Sequence, residues 1–220
     1  MRSSEMRIRC IDVDVLARTF RGRAHMLSPA EHARAARFLF DRDRDRFTGR
    51  RVALRGLLAE WMHCAPTDIA IERGPNGKPE LRGAVHEDFQ FNSSHSNGLA
   101  LFALAHRARV GVDIERVRPV AHLAEIGRHH FTRREWSVID AARSRRSALF
   151  FSAWTLKEAY LKATGEGLSR APETIELEFE TDGTARLAAV DGECRLAEQW
   201  WARALSPAAG FVGAVVAERK

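Results

Sequence analysis

Alternating apolar and polar positions predict a β-strand over residues 7–15, close to the start of the chain. A helix start is indicated next by Ser28 as the N-cap, Pro29 at N1 and Glu31 at N3. A longer helix is predicted over residues 43–63. The chain is therefore predicted to begin with a strand followed by two helices.

Shorter apolar runs separated by turn residues come next. They predict a strand over residues 68–72, a turn over 74–77, a strand anchored by Phe89 and Phe91, and a buried strand over 99–105.

The second part of the chain repeats this order. A strand is predicted over residues 109–116, a capping box at Thr132 and Glu135, and a long helix over 144–163. Further strands are predicted over residues 174–180, 185–190, 199–205 and 211–217. A strand, two helices and a meander thus occur twice. This order favours an α+β protein of two pseudo-twofold related subdomains, residues 1–108 and 109–220, each a small antiparallel sheet packed with helices.

Composition fits a water-soluble globular chain, since 45% of the 220 residues are hydrophobic and 29% are charged. No window approaches the roughly 18 apolar residues of a membrane-spanning helix, and the first residues lack the apolar stretch of a secretory signal. We therefore expect a cytoplasmic protein. Cys10, Cys64 and Cys194 match no metal-ligand spacing and are expected to be buried, reduced thiols. The net charge of +6 favours a polyanionic partner, which could be nucleic acid, an acidic protein or a multiply phosphorylated small molecule.

Two segments of the second half carry candidate metal chemistry. Asp113 and Glu115 are two apart in a predicted strand, so they share a face; they fit either a Mg²⁺ site or a solvated strand end. Trp154, Glu158 and Lys162 are spaced four apart and share a helix stripe, which the tryptophan indicates is partly covered. Glu158 would complete a magnesium site, although a Glu–Lys pair at this spacing is also typical of a helix surface.

Two polar segments of the first half could bind an anion. Residues 92–98 gather hydroxyls and His95 in a predicted polar turn, which fits an anion site or ordinary turn capping. Arg73 and Lys78 flank a glycine-containing turn that is also typical of an exposed loop, and the GxxxxGK[ST] pattern is absent. A catalytic Ser94–His95 pair is disfavoured because adjacent residues of an extended chain point apart and no GxSxG is present.

Four segments, taken in order, resemble the motif set of the 4′-phosphopantetheinyl transferases of the Sfp type: residues 76–79, 91–96, 110–115 and 154–163. Residues 28–55 also resemble the N-terminal helices of that family. The Trp-x-x-Lys-Glu-Ala form at residues 154–159 resembles the subgroup that serves nonribosomal peptide and polyketide synthases.

The resemblance implies two pseudo-twofold halves with coenzyme A bound in the cleft between them. It also implies an enzyme that moves the 4′-phosphopantetheine arm of coenzyme A to a serine hydroxyl of an apo acyl or peptidyl carrier protein, releases 3′,5′-adenosine bisphosphate and uses Mg²⁺. We expect a monomer, because one chain then supplies both walls of the cleft, and neither nucleic acid nor a membrane as partner.

The same resemblance implies residue roles. Asp113, Glu115 and Glu158 would be the metal ligands, and Glu158 would take the serine proton, directly or through a metal-bound water. Lys162 would stabilise the departing phosphate, with His95 beside it. The residues expected to contact coenzyme A are Arg34, Arg73, Lys78, Asn92, Ser94, His95, Asp113, Glu158 and Lys162.

Two positions depart from the family pattern. Glu31 stands where some relatives carry a basic residue, so the 3′-phosphate is expected to rely on Arg34, Arg37 or Arg46. Ser93 stands where an aliphatic residue is common.

Three other classes of protein remain alternatives. A nucleic-acid-binding protein is compatible with the charge, but the chain has a single tyrosine and no recognisable binding motif of that kind. A magnesium-dependent phosphohydrolase acting on a nucleotide-like substrate would use the same carboxylates with water as the acceptor. An inactive binding module would keep the fold, but the presence of all the candidate carboxylates argues against it.

Overall fold

The two parts of the chain fold into units of the same topology. The computed structural model describes residues 6–74, 76–83 and 88–219. The strands are β1 (Met6–Asp12), β2 (Ala70–Arg73), β3 (Pro79–Arg82), β4 (Phe89–Ser96), β5 (Leu99–His106), β6 (Val110–Arg116), β7 (Ile175–Phe179), β8 (Ala185–Val190), β9 (Trp200–Leu205) and β10 (Phe211–Glu218). The helices are α1 (Ala17–Gly22), α2 (Pro29–Ala35), α3 (Asp41–Met62), α4 (Leu123–His130), α5 (Arg133–Ala141), α6 (Arg146–Thr164) and α7 (Cys194–Glu198).

The N-terminal half comprises β1–β5 with α1–α3, and the C-terminal half comprises β6–β10 with α4–α7. Each half has a three-stranded antiparallel sheet, ordered β1-β5-β4 in one and β6-β10-β9 in the other, and a separate hairpin, β2-β3 or β7-β8. The predicted α+β class is confirmed. The predicted meander is wrong, because the last strand of each half lies between the first and fourth strands.

A buried ion pair recurs in both halves. Glu31, at N3 of the α2 capping box, accepts a hydrogen bond from Arg55 of α3 at 2.7 Å. Glu135, at N3 of the α5 capping box, accepts one from Lys157 of α6 at 2.8 Å, and both side chains are almost fully buried. Each pair ties a short capped helix to the long helix after it. Glu31 and Lys157 therefore have structural tasks, since a buried charge that loses its partner costs about 3–5 kcal/mol.

The two halves share part of one hydrophobic core. Val112 and Ile114 of β6 are fully buried, as their alternation predicts, and they pack with Leu101 of β5 and Val215 of β10. The packing of β5 against β6 and β10 therefore joins the two sheets through apolar contacts.

Some local expectations fail. No sequence pattern predicted α1, α4, α7 or β3. Cys10 and Cys194 are exposed and Cys64 is half-buried, so the expectation of buried thiols is wrong, although all three are free. Cys10 lies on β1, an edge strand whose side chains are mostly exposed. None of the described helices is long and apolar enough to cross a membrane.

Helix α6 packs so closely on β6 that only glycine fits at Gly111. A Cβ there would lie 2.0 Å from the carbonyl oxygen of Ala159 and 2.4 Å from the backbone nitrogen of Ala163. We predict that Gly111→Ala lowers the free energy of unfolding by about 3 kcal/mol or more, because two backbones must separate.

Urea unfolding measures this effect. Gly56→Ala in helix α3 is the control, since its Cβ would meet a neighbouring atom only at 3.8 Å; we expect it to be neutral or stabilising by up to about 1 kcal/mol. Equal stability of the Gly111 variant and the wild type would contradict the packing described.

Candidate active site

Strands β4 and β6 lie side by side where the halves meet, and side chains join them. The Val112 N–H donates to Asn92 Oδ1 at 3.0 Å, and the Arg116 N–H donates to Ser96 Oγ at 3.1 Å. Among the described strands, β6 pairs through its backbone with β10 alone. The side chains of β4 therefore supply hydrogen bonds to the free edge of β6. We call this junction the seam.

The seam holds the two predicted strand carboxylates. Ser94 Oγ donates to Asp113 Oδ1 at 2.6 Å, and Ser96 Oγ donates to Glu115 Oε2 at 3.0 Å. Lys162 of α6 donates to Asp113 Oδ1 at 2.6 Å and to Ser94 Oγ at 3.1 Å. The structure thus brings together residues of β4, β6 and α6. Ser96 was not among the predicted site residues.

The prediction of a polar turn over residues 92–98 is wrong for most of its length. Strand β4 continues to Ser96, and the turn begins at Asn97, which has a φ of 52°. Alternation along β4 points Ser94 and Ser96 towards β6 and His95 the other way. The backbone of this segment pairs with β5, and β6 provides hydrogen-bond partners for its polar side chains. The opposed directions of Ser94 and His95 also agree with the rejection of a Ser–His pair.

Glu158 completes the acidic group. It lies half-buried on α6, one turn before Lys162. Burial raises its pKa; the Lys162 ammonium opposes this rise, and the charges of Asp113 and Glu115 add to it. Burial likewise raises the pKa of Glu115. A carboxylate whose pKa is raised accepts a proton more readily near neutral pH.

The donor set fits a hard cation. Asp113 Oδ2 is buried and has no hydrogen-bond partner among the described residues. An unpaired carboxylate oxygen beside two further carboxylates suits Mg²⁺. Within the described ranges, however, no three acidic, histidine or cysteine side chains already stand in an arrangement that could hold a metal ion. The Lys162 ion pair engages only Oδ1 of Asp113, and holding a cation here requires the three carboxylates to come closer together.

An arginine-lined groove of about 900 Å³ lies between α2, α3 and the β2–β3 hairpin. The predicted residues Arg34 and Arg73 line it, together with Arg37. Arg46 does not, because its guanidinium donates to Asp14 at 2.8 Å.

Arg50 is a candidate that the sequence analysis missed. A cavity of about 180 Å³ is lined by Arg34, which also lines the arginine groove, by Ser94 of the seam, and by Arg50 and His95. Burial and the charges of Arg46 and Arg34 lower the pKa of Arg50 to about 10. Crowded like charges of this kind are stabilised when an anion binds. The spacing of Arg46 and Arg50, one helical turn apart, was the available sequence signal.

His95 is neutral at pH 7. Burial of the ring, and then the charges of Arg50 and Lys162, lower its pKa from 6.5 to about 4. The lowered pKa favours the neutral imidazole, although the residue as a whole keeps much of its surface in solvent.

Lys78 lies apart from the other predicted residues. Its neighbour Pro79 lines the arginine groove, but Lys78 lines a separate cavity of about 170 Å³. The Lys78 amine donates to the carbonyls of Val110 at 3.3 Å and Ala163 at 3.1 Å. Asn92 is likewise occupied within the protein, by the Val112 N–H.

Comparison with known proteins identifies the family. The model of the "4′-phosphopantetheinyl transferase, N-terminal" family matches residues 16–107, and that of the "4′-phosphopantetheinyl transferase superfamily" matches residues 109–216. The chain is 35% identical over 187 residues to the 4′-phosphopantetheinyl transferase HetI of Nostoc sp., an alignment covering 84% of this chain and 78% of HetI. The chain therefore belongs to the 4′-phosphopantetheinyl transferases, a family of transferase enzymes.

Other relatives are longer than this chain. It is 37% identical over 145 residues to slr0495 of Synechocystis sp., covering 66% of this chain and 59% of slr0495. It is 30% identical over 165 residues to the L-aminoadipate-semialdehyde dehydrogenase-phosphopantetheinyl transferase of Xenopus laevis, covering 70% of this chain and 55% of that protein. The chain thus spans less than two thirds of the length of these two relatives.

The electrostatics of His95 give a testable prediction. We expect an NMR titration to place its midpoint well below 6.5, and Arg50→Met to raise that midpoint because a nearby cation is removed. Since folding lowers this pKa, the contribution of His95 to stability is present above pH 6.5 and is lost as the pH falls towards 4.

The control is Arg42→Met, which removes an exposed cation of the same helix and should leave the midpoint unchanged. A wild-type midpoint at or above 6.5 would show that the burial and charges described do not act on His95.

Proposed function

We propose that this chain transfers the 4′-phosphopantetheine arm of coenzyme A to a serine hydroxyl of an apo carrier protein and releases 3′,5′-adenosine bisphosphate. The observation that carries the proposal is the cavity lined by Arg34 of the arginine groove, by Ser94 of the seam, and by Arg50 and His95. It places cations suited to phosphates next to Ser94, which donates a hydrogen bond to the Asp113 carboxylate, in a chain of this transferase family.

The arginine groove suits the nucleotide end of coenzyme A. Arg34, Arg37 and Arg73 would bind the 3′-phosphate by charge-assisted hydrogen bonds, for which the guanidinium fork is well shaped. Arg50 and His95 would then meet the diphosphate on its way to the seam. Glu31 faces the groove, but Arg51 and Arg55 neutralise it, so its carboxylate does not oppose the phosphate.

Asp113, Glu115 and Glu158 would hold Mg²⁺. When bound, the ion neutralises charge on the diphosphate and on the departing phosphate. The unpartnered Oδ2 of Asp113 supports this assignment. Phosphoryl transfer depends mainly on positioning and charge neutralisation, and a cation beside Lys162 would neutralise charge on the phosphates.

The transfer itself needs one base and one electrostatic stabiliser. Glu158 accepts the proton of the carrier serine, directly or through a water, as the serine oxygen forms a bond to the phosphorus of the pantetheine phosphate. The bond from that phosphorus to the bridging oxygen breaks, and its electron pair leaves with 3′,5′-adenosine bisphosphate. Lys162 stabilises the charge that develops on the leaving group.

We propose that residues 1–108 and 109–220 form two subdomains that bind coenzyme A between them, and that the protein acts as a monomer. Its carrier would belong to a nonribosomal peptide or polyketide synthase, and the net charge of +6 suits an acidic carrier surface. The alternative of a magnesium-dependent phosphohydrolase is not supported, because the relatives are named as transferases.

We predict that an apo carrier protein incubated with this chain, coenzyme A and Mg²⁺ gains the mass of one phosphopantetheine group by intact-mass spectrometry. Glu158→Gln should slow the transfer about 10²–10⁴-fold, because it removes the general base. EDTA should also abolish the gain.

The matched control is Glu125→Gln, which changes an exposed glutamate of α4 and should transfer normally. No mass gain on several unrelated carriers would count against transferase activity. Hydrolysis of coenzyme A in those samples would restore the hydrolase alternative.

A further inference from the structure

The turn between β2 and β3 holds the C-terminal end of α6 from the other half of the protein. Asn76 Nδ2 donates to the Gly165 carbonyl at 2.9 Å. Lys78 Nζ donates to the Ala163 carbonyl at 3.1 Å and to the Val110 carbonyl at 3.3 Å. Two side chains of one short turn therefore reach both α6 and β6.

These three carbonyls lie where the backbone of the C-terminal half has few partners of its own. The last carbonyls of a helix have no partner within the helix, and α6 ends at Thr164. Val110 is the first residue of β6, whose edge facing β4 has no backbone ladder among the described strands. A cation beside a helix C-terminus is also favourable to the helix dipole.

The Lys78 side chain is held by its hydrogen bonds to the carbonyls of Val110 and Ala163. Its side chain is half-buried, and burial lowers its pKa to about 8; Glu80 raises it and Arg109 lowers it further. To meet a phosphate of coenzyme A, the amine would have to give up both carbonyls, and it lines a cavity distinct from the arginine groove.

We infer that Asn76 and Lys78 are positioning residues that fix the last turn of α6, and with it Lys162, against Asp113 of β6. This differs from the expectation that Lys78 contacts coenzyme A. Lys162 adjoins Ala163, so movement of this turn changes the 2.6 Å contact between Lys162 and Asp113. The inference rests on the proposed transfer reaction for its catalytic consequence.

The test uses Lys78→Met and Asn76→Ala, with Arg9→Met as the control because it removes an exposed cation from β1. We expect the dissociation constant for coenzyme A, from calorimetry, to stay within about twofold in all three variants. The single-turnover transfer rate at saturating coenzyme A should fall about tenfold or more in Lys78→Met and less in Asn76→Ala, because small misplacements of reacting groups are costly. Arg9→Met should match the wild type.

A second readout does not depend on activity. Hydrogen exchange of the amides of residues 162–166 should be faster in both turn variants than in the wild type, since the end of α6 loses its donors. If Lys78→Met does not fold, Asn76→Ala, which changes an exposed side chain, supplies both measurements.

An affinity for coenzyme A at least tenfold weaker in Lys78→Met, with an unchanged rate at saturation, would overturn the inference and make Lys78 a ligand. Unchanged hydrogen exchange in both turn variants would overturn it as well. If the wild-type protein transfers nothing to any carrier, the proposed function fails, while the exchange and affinity measurements still decide whether the turn positions α6.

Discussion

The ion pair between Lys162 and Asp113 is the contact on which the candidate site depends. The Asp113 side chain is only 6% exposed, and one of its oxygens accepts hydrogen bonds from Lys162 and Ser94, both at 2.6 Å. Those three residues come from α6, β6 and β4, so a single carboxylate joins the long helix to both sheets. A buried carboxylate is tolerated only when it is well paired. This requirement holds the two halves in the arrangement that creates the site.

Comparison of the two halves distinguishes charged residues that stabilise the fold from those of the candidate site. Glu31 with Arg55 and Glu135 with Lys157 occupy corresponding places in the two halves, and each pair lies in the interior of its own half. The charges outside these pairs differ between the halves. The N-terminal half contributes the arginine groove and Arg50, and the C-terminal half contributes the three carboxylates and Lys162. The proposed site therefore lies where the halves differ and meet.

Local patterns predicted much of this arrangement. Alternation in β6 placed Asp113 and Glu115 on one face, and helical spacing placed Glu158 and Lys162 on one stripe. Features that depend on distant partners were missed or wrong. The Asn92–Ser96 segment pairs with β5 through its backbone, and its polar side chains find partners on β6. The last strand of each half inserts centrally through pairings that no local pattern specifies. Arg50 lies in a cavity with Ser94 and His95 only because the fold brings α3 and β4 together.

The most direct measurement is the affinity for coenzyme A, by calorimetry, with and without Mg²⁺, in the wild type and in Asp113→Asn. If Asp113 is a ligand of a bound cation, Mg²⁺ should tighten the binding of coenzyme A to the wild type about tenfold or more, which equals about 1.4 kcal/mol. The variant should lose this gain while keeping its metal-free affinity, which the arginine groove supplies. An equal effect of Mg²⁺ on both proteins would contradict the account.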